Sequence, residues 1–176
     1  SPVLHICSGK AHPSDMSGQQ LIKTIHEFSL KPEFMGHILL LEGYDLALGR
    51  KLVTGVDVWL NTPEYPLEAS GTSGEKAAMN GVINLSVLDG WWIEGHIEGV
   101  TGWSIGPAPT ETTTDVNHSD EDVQDLYKKL EETIIPLYYD DQAGWTKVVK
   151  SAIGKNAYYF NTHVMMRRYV TDAYLR

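Results

Sequence analysis

The 176-residue chain is short of cysteine, of positive charge and of long apolar runs. Its one cysteine, Cys7, has no partner for an internal disulfide and fits a reducing cytoplasm. No apolar run approaches the roughly 20 residues needed to cross a bilayer, so a soluble protein that avoids the membrane is expected. The start, Ser-Pro-Val-Leu-His-Ile, lacks the basic n-region and cleavage pattern of a signal peptide. Lysine and arginine number 14 against 23 aspartates and glutamates, a net charge of −9. That balance argues against nucleic-acid partners, although backbone N–H groups can still build a local anion pocket. The 7 histidines include no i, i+4 pair and have no cysteine partner, so no metal site is expected. The Gly-x-Ser-x-Gly elbow of serine hydrolases is missing too.

What remains is a chain long enough for one domain, residues 1–176, with an ordinary 42% of hydrophobic residues. Residues 3–7 read as a strand, 14–30 as a helix with Leu21, Ile22, Ile25 and Phe28 on one face, and Lys31-Pro32 as its break. Residues 37–41 form a continuous apolar strand of the kind covered on both faces. A short helix over 44–53 and a third strand over 56–60 follow. Strand alternating with helix predicts a parallel α/β sheet, whose ligands bind at the carboxyl ends of the strands. A short helix over 76–80 ending at Asn80-Gly81 precedes a fourth strand over 82–87. Residues 89–95 read as a turn, and 99–117, rich in Gly, Pro and Thr, as loop. Ser119 with Asp122 three residues on opens a long helix in the manner of a capping box, and the acids there read as a solvated face. Two last helices are expected over 144–153 and 156–174.

The segment Glu68-Ala69-Ser70-Gly71-Thr72-Ser73-Gly74-Glu75-Lys76-Ala77-Ala78-Met79-Asn80 carries the most chemistry. A lysine used as a covalent anchor must lose its proton, against a free pKa of roughly 10.4. Lys76 is predicted in the first helical turn, where the helix field and desolvation both disfavour the ammonium. The loop from Gly71 to Gly74 offers backbone N–H groups and the hydroxyls of Thr72 and Ser73 to an anion, and its glycines permit close approach. Glu68 could accept hydrogen bonds from two vicinal hydroxyls. Read without further context, these parts describe an anion-binding α/β domain. His12, in a loop, is more simply a surface histidine. Trp91, Trp92 and Trp103 could stack on sugar rings, but packing is the weightier reading.

The wording of that segment resembles the pyridoxal-phosphate lysine motif of the α-glucan phosphorylases, the glycogen, starch and maltodextrin phosphorylase family. Glu68, Ala69, Ser70, Gly71, Ser73, Lys76, Met79 and Asn80 match, whereas Glu75 stands where the family has methionine. The likeness continues through Gly81 to Gly90. It extends to Gly9-Lys10-Ala11-His12-Pro13, to the turn Glu42-Gly43-Tyr44-Asp45-Leu46, and to a terminal segment from Tyr159 to Val170 similar to that of the shorter bacterial and archaeal type. In the turn Tyr44 matches, but Asp45 replaces an arginine, so either Asp45 points away from a phosphate or the site differs.

The resemblance implies a Rossmann-like parallel sheet with flanking helices, the C-terminal part of a two-domain GT-B fold. It implies an enzyme that cleaves α-1,4-glucan with inorganic phosphate to glucose 1-phosphate, using pyridoxal phosphate. Lys76 would be the Schiff-base residue; Thr72, Ser73 and Tyr44 would contact the cofactor phosphate. Glu68, with the backbone N–H groups of Ser70 and Gly71, would hold the glucosyl hydroxyls; Lys76 and Glu68 are thus the candidate catalytic pair. Glucan, phosphate and the N-terminal domain of the same parent chain are the implied partners, with a homodimer left open. The N-terminal domain and the basic phosphate-binding segment are expected to lie outside this chain, which alone is expected to be inert. A nucleotide-sugar glycosyltransferase of glycogen-synthase type and a non-catalytic carbohydrate-binding module are the alternatives.

Overall fold

The computed structural model describes residues 3–108 and 119–175. The chain divides into two compact units, Ser1–Lys51 and Leu52–Arg176. The first is a strand–helix–strand unit. β1 (His5–Ser8) and β2 (Ile38–Leu41) pair in parallel, with His5 opposite Ile38 and Ser8 opposite Leu41. α1 (Met16–Ser29) links them, its start fixed by Asp15, whose Oδ1 accepts from Gly18 N at 2.9 Å. Leu39 is 39% exposed, so within this unit β2 is not the doubly covered strand its apolar run suggests. α2 (Leu46–Gly55) carries the chain onward.

The second unit is built on three parallel strands, β3 (Val58–Asn61), β4 (Ile83–Val87) and β5 (Gly102–Ile105), in the order β3-β4-β5. Every residue of the central strand β4 is buried. Its alternation divides the core. Ile83, Leu85 and Val87 pack with Trp103, Ile105, Ile134, Trp145 and Val148. Asn84 and Ser86 alternate with them and point to the opposite face, where α3 (Thr72–Met79) packs against β4. Ala78, Trp91 and Trp92 form a second cluster, closed by Leu88 and Phe160. Trp91, Trp92 and Trp103 are all buried, so they serve packing and are not available to stack on a sugar ring. Among the described residues no helix is long and apolar enough to cross a membrane. The expected α/β class, a Rossmann-like parallel arrangement with flanking helices, holds.

Several elements depart from expectation. β5 lies in a stretch read as loop: Gly102 and Gly106 mask a strand whose Trp103 and Ile105 alternate into the core. Residues 109–117 of that loop lie outside the described residues, as does the side chain of Ser119 on which the capping box rests. α4 (Trp92–Gly95) occupies the presumed turn. The long helix is interrupted: α5 (Ser119–Lys129) passes through a π-helical segment, Leu130–Ile134, into α6 (Ile135–Asp140). Pro136 sits at the start of α6 and has no N–H to donate, which the wider turn before it accommodates. α7 (Gln142–Ala152) likewise continues as a π segment, Ile153–Ala157. The expected final helix is therefore broken at Asn161, whose extended backbone and Oδ1, accepting from Val164 N at 3.0 Å, start α8 (Thr162–Arg168). A last π segment spans Tyr169–Tyr174.

A polar cluster covers β5. Glu98 Oε2 accepts from Ser104 N at 2.9 Å and lies 2.7 Å from His96 Nε2. Lys129 Nζ donates to Ser104 O at 2.9 Å and pairs with Glu98 at 3.2 Å and Asp125 at 3.0 Å. The main-chain N–H and C=O of Ser104 are thereby both satisfied by side chains.

Candidate functional site

α3 starts at Thr72, four residues before its expected start, with Gly71 as N-cap. The cap needs φ of 86°, a left-handed conformation that favours glycine. This shift corrects the reading of Lys76. The lysine falls in the last turn of α3, not the first, and its side chain is exposed. Neither the first-turn position nor the burial expected for it is found within this unit. Its Nζ lies 3.5 Å from Thr72 Oγ1, one turn earlier. The helix end expected at Asn80-Gly81 is as read: Asn80 is the C-cap and Gly81 follows with φ of 81°.

The start of α3 is fixed from below by β4 and the loop after it. Asn84 Nδ2 donates to Gly74 O at 3.1 Å. A Cβ on Gly74 would come within 2.6 Å of Asn84 Oδ1 and 2.8 Å of Trp91 Nε1. One on Gly71 would meet Trp91 Cδ1 at 3.0 Å. The Trp91 indole therefore underlies the first turn, and the two glycines are what allow it. Thr72 and Ser70 are exposed, Ser73 and Glu68 half-buried. All four, with Lys76, belong to the segment after β3, at the carboxyl edge where parallel sheets bind ligands.

A second loop meets this one. Asp89 follows β4 and is 5% exposed. Its Oδ2 accepts from Glu68 N at 2.9 Å and its Oδ1 from Gly90 N at 2.8 Å. Trp91 N donates to Ser70 O at 2.8 Å. Asp89 and Asn84 are thus parts of the site that the sequence reading passed over, and Trp91, weighed there for stacking or packing, serves as the support under the loop. The only signal was an Asp-Gly pair taken as a turn.

Glu75, the departure from the motif, is half-buried; burial pushes its carboxyl up, and the neighbouring Lys76 offsets part of that. Tyr44 lies in the first unit, its ring against Gly49, where a Cβ would stand 2.8 Å from the hydroxyl. Asp45 caps α2: its Oδ1 accepts from Leu48 N at 2.7 Å and its carbonyl from Gly49 N at 2.9 Å. That is a structural use for an acid where a phosphate-binding arginine was expected. Cys7 is a half-buried free thiol whose burial pushes its pKa up. Among the described residues no cluster of three or more His, Cys, Asp or Glu could hold a metal ion.

No family model matches the chain. It is 47% identical over 98% of its length to the maltodextrin phosphorylase of Thermococcus litoralis. It is 46% identical over 98% to the glycogen phosphorylase of Aquifex aeolicus, and 38% over 98% to that of Mycobacterium bovis. It spans only 21%, 25% and 20% of those relatives' own lengths. A solved structure of Anabaena HepE in complex with UDP and glucose superposes with a TM-score of 0.68 at 18% identity, covering 98% of this chain and 41% of that one. That likeness is of fold alone. The sequence likeness runs through the lysine segment and nearly the whole chain, and by it the chain is similar to the α-glucan phosphorylases over a part of their length.

Proposed function

We propose that this chain is the C-terminal part of a two-domain α-1,4-glucan phosphorylase, which releases glucose 1-phosphate from glucan ends with inorganic phosphate. The observation that carries the reading is the identity of 47% to a maltodextrin phosphorylase over 98% of this chain, its lysine segment included. The residues also fit a phosphorylated aldehyde such as pyridoxal phosphate. The Lys76 amine is exposed, next to the Thr72 hydroxyl, and Gly71 leaves the entry to α3 free of a Cβ. Lys76 would anchor the cofactor, and Thr72 and Ser73 would hold its phosphate. When bound, that phosphate supplies acid–base chemistry to the substrate phosphate. Glu68, with the N–H groups of Ser70 and Gly71, would orient the glucosyl hydroxyls.

The cytoplasm, where glucan reserves and free phosphate meet, is the proposed location. Incubation of the full-length polypeptide with maltoheptaose and phosphate is expected to yield glucose 1-phosphate, and the isolated chain none. Borohydride reduction followed by peptide mapping is expected to place the cofactor on Lys76. A labelled peptide elsewhere, or product formed by the isolated chain, would overturn the respective part of this reading. An active protein without the absorbance band of the cofactor would point to the nucleotide-sugar class instead.

A further inference from the structure

The phosphorylase reading leaves open how Glu68, in a loop, is aimed with the precision that sugar recognition needs. Resting on that reading, we propose that Asp89 is a positioning residue for the glucosyl site, acting through the main chain of Glu68. A carboxylate 5% exposed must have its charge met by donors, and here the donors are the amides of Glu68 at 2.9 Å and Gly90 at 2.8 Å. The bond from Trp91 N to Ser70 O at 2.8 Å closes the other side of the same junction. Residues 68–70 after β3 are thereby tied at both ends to residues 89–91 after β4. Those residues in turn continue from a strand buried along its whole length.

The junction also confines the Glu68 side chain. Its Cγ lies 3.1 Å from where a Cβ on Gly90 would stand and 3.6 Å from one on Gly71. The stem is held between two glycines, and Gly90, at φ of 54°, has room only because it lacks a Cβ: one would come 2.6 Å from Ser70 O. Asp89 faces inward to these amides and acts on the sugar only by fixing where Glu68 begins. Fixed orientation of a polar group is what converts a hydrogen bond to a hydroxyl into discrimination and rate.

The test uses the full-length polypeptide, glucose 1-phosphate and maltodextrin, with KM and kcat measured separately. Asp89→Asn keeps shape but replaces one acceptor by a donor. It is expected to lower kcat/KM about 10-fold or more, chiefly through KM for glucose 1-phosphate, since loop misplacement of an ångström has effects of that order. Glu68→Gln is expected to do the same, and the double variant to be no worse than Glu68→Gln alone. Gly90→Ala forces the loops apart at Ser70 O with the Asp89 side chain itself unchanged, and its cycle with Glu68→Gln decides the matter if Asp89→Asn does not fold. Losses that multiply, or an Asp89→Asn enzyme within about 2-fold of the unmutated one, overturn the proposal and leave the phosphorylase reading standing. An unmutated full-length protein without phosphorylase activity overturns that reading, and this one with it.

Discussion

Glu98 is subject to opposing pulls. Burial raises its carboxyl pKa, but the Ser104 amide, His96 and Lys129 together outweigh it, and the net shift is downward. The unfolded chain therefore takes up the proton first as pH falls. The stabilisation is fully present above the ordinary glutamate value of about 4.3 and is lost as pH drops through the lower native value. Glu98→Gln is expected to lower stability near pH 7 by about 1 kcal/mol or less, because the side chain is 46% exposed and solvent screens the pair. Thermal melts of the two proteins are expected to converge in acid; a gap independent of pH would contradict the linkage. Asp45 is the other instructive residue. Its capping bonds to α2 explain its presence without recourse to any ligand, and its neighbour Tyr44 keeps a packing role whatever it later touches.

At the scale of elements, α3 shows what glycine contributes to a candidate binding loop. Alanine is the better helix former by about 1 kcal/mol. Yet at Gly74 its Cβ would enter the space of the Asn84 amide and the Trp91 indole, both buried and neither free to swing away. Gly74→Ala is expected to destabilise by about 1–3 kcal/mol in urea melts, the cost typical of overpacking; a stabilised variant would mean that the close approach is not rigid. Such contacts also mark how far the sequence could be read. Five of the elements, from β1 to β3, follow from apolar periodicity and breakers, and β4 from its run of apolar residues. The motif 68–80 was legible because its residues are adjacent. Asp89 was not, because its acceptor role depends on a main-chain amide 21 positions away. β5 was not, because glycine spacing hid a four-residue alternation. The start of α3 was misjudged because Gly71 caps by backbone conformation, without a side-chain signature. The break at Asn161 was missed because a capping residue amid aromatic and basic residues reads as helix interior until its bond to Val164 is seen.

At the scale of the whole chain, the two units differ in what holds them. No residue between 3 and 51 is fully buried, and Leu4, Ile6 and Leu39 of the β1–β2 unit are 50%, 37% and 39% exposed. Ile6 and Leu39 are register partners, so they share one face of that pair. A two-stranded sheet needs a third strand or a well-packed helix to be stable by itself, and α1 here has no buried residue. The second unit contains a strand buried at all five positions, with four buried tryptophans and two buried isoleucines beside it. Local opening should therefore be far easier in the first unit than in the second. In native-state hydrogen exchange of the isolated chain, amides of β1 and β2 are expected to exchange by a low-energy opening that leaves β4 protected. Amides of β4 should exchange only with global unfolding. Equal protection in β1 and β4 would mean that the chain opens as one cooperative body. Lowered protection confined to β1 and β2, restored in the full-length polypeptide, would mean that the first unit draws its stability from the remainder of the protein.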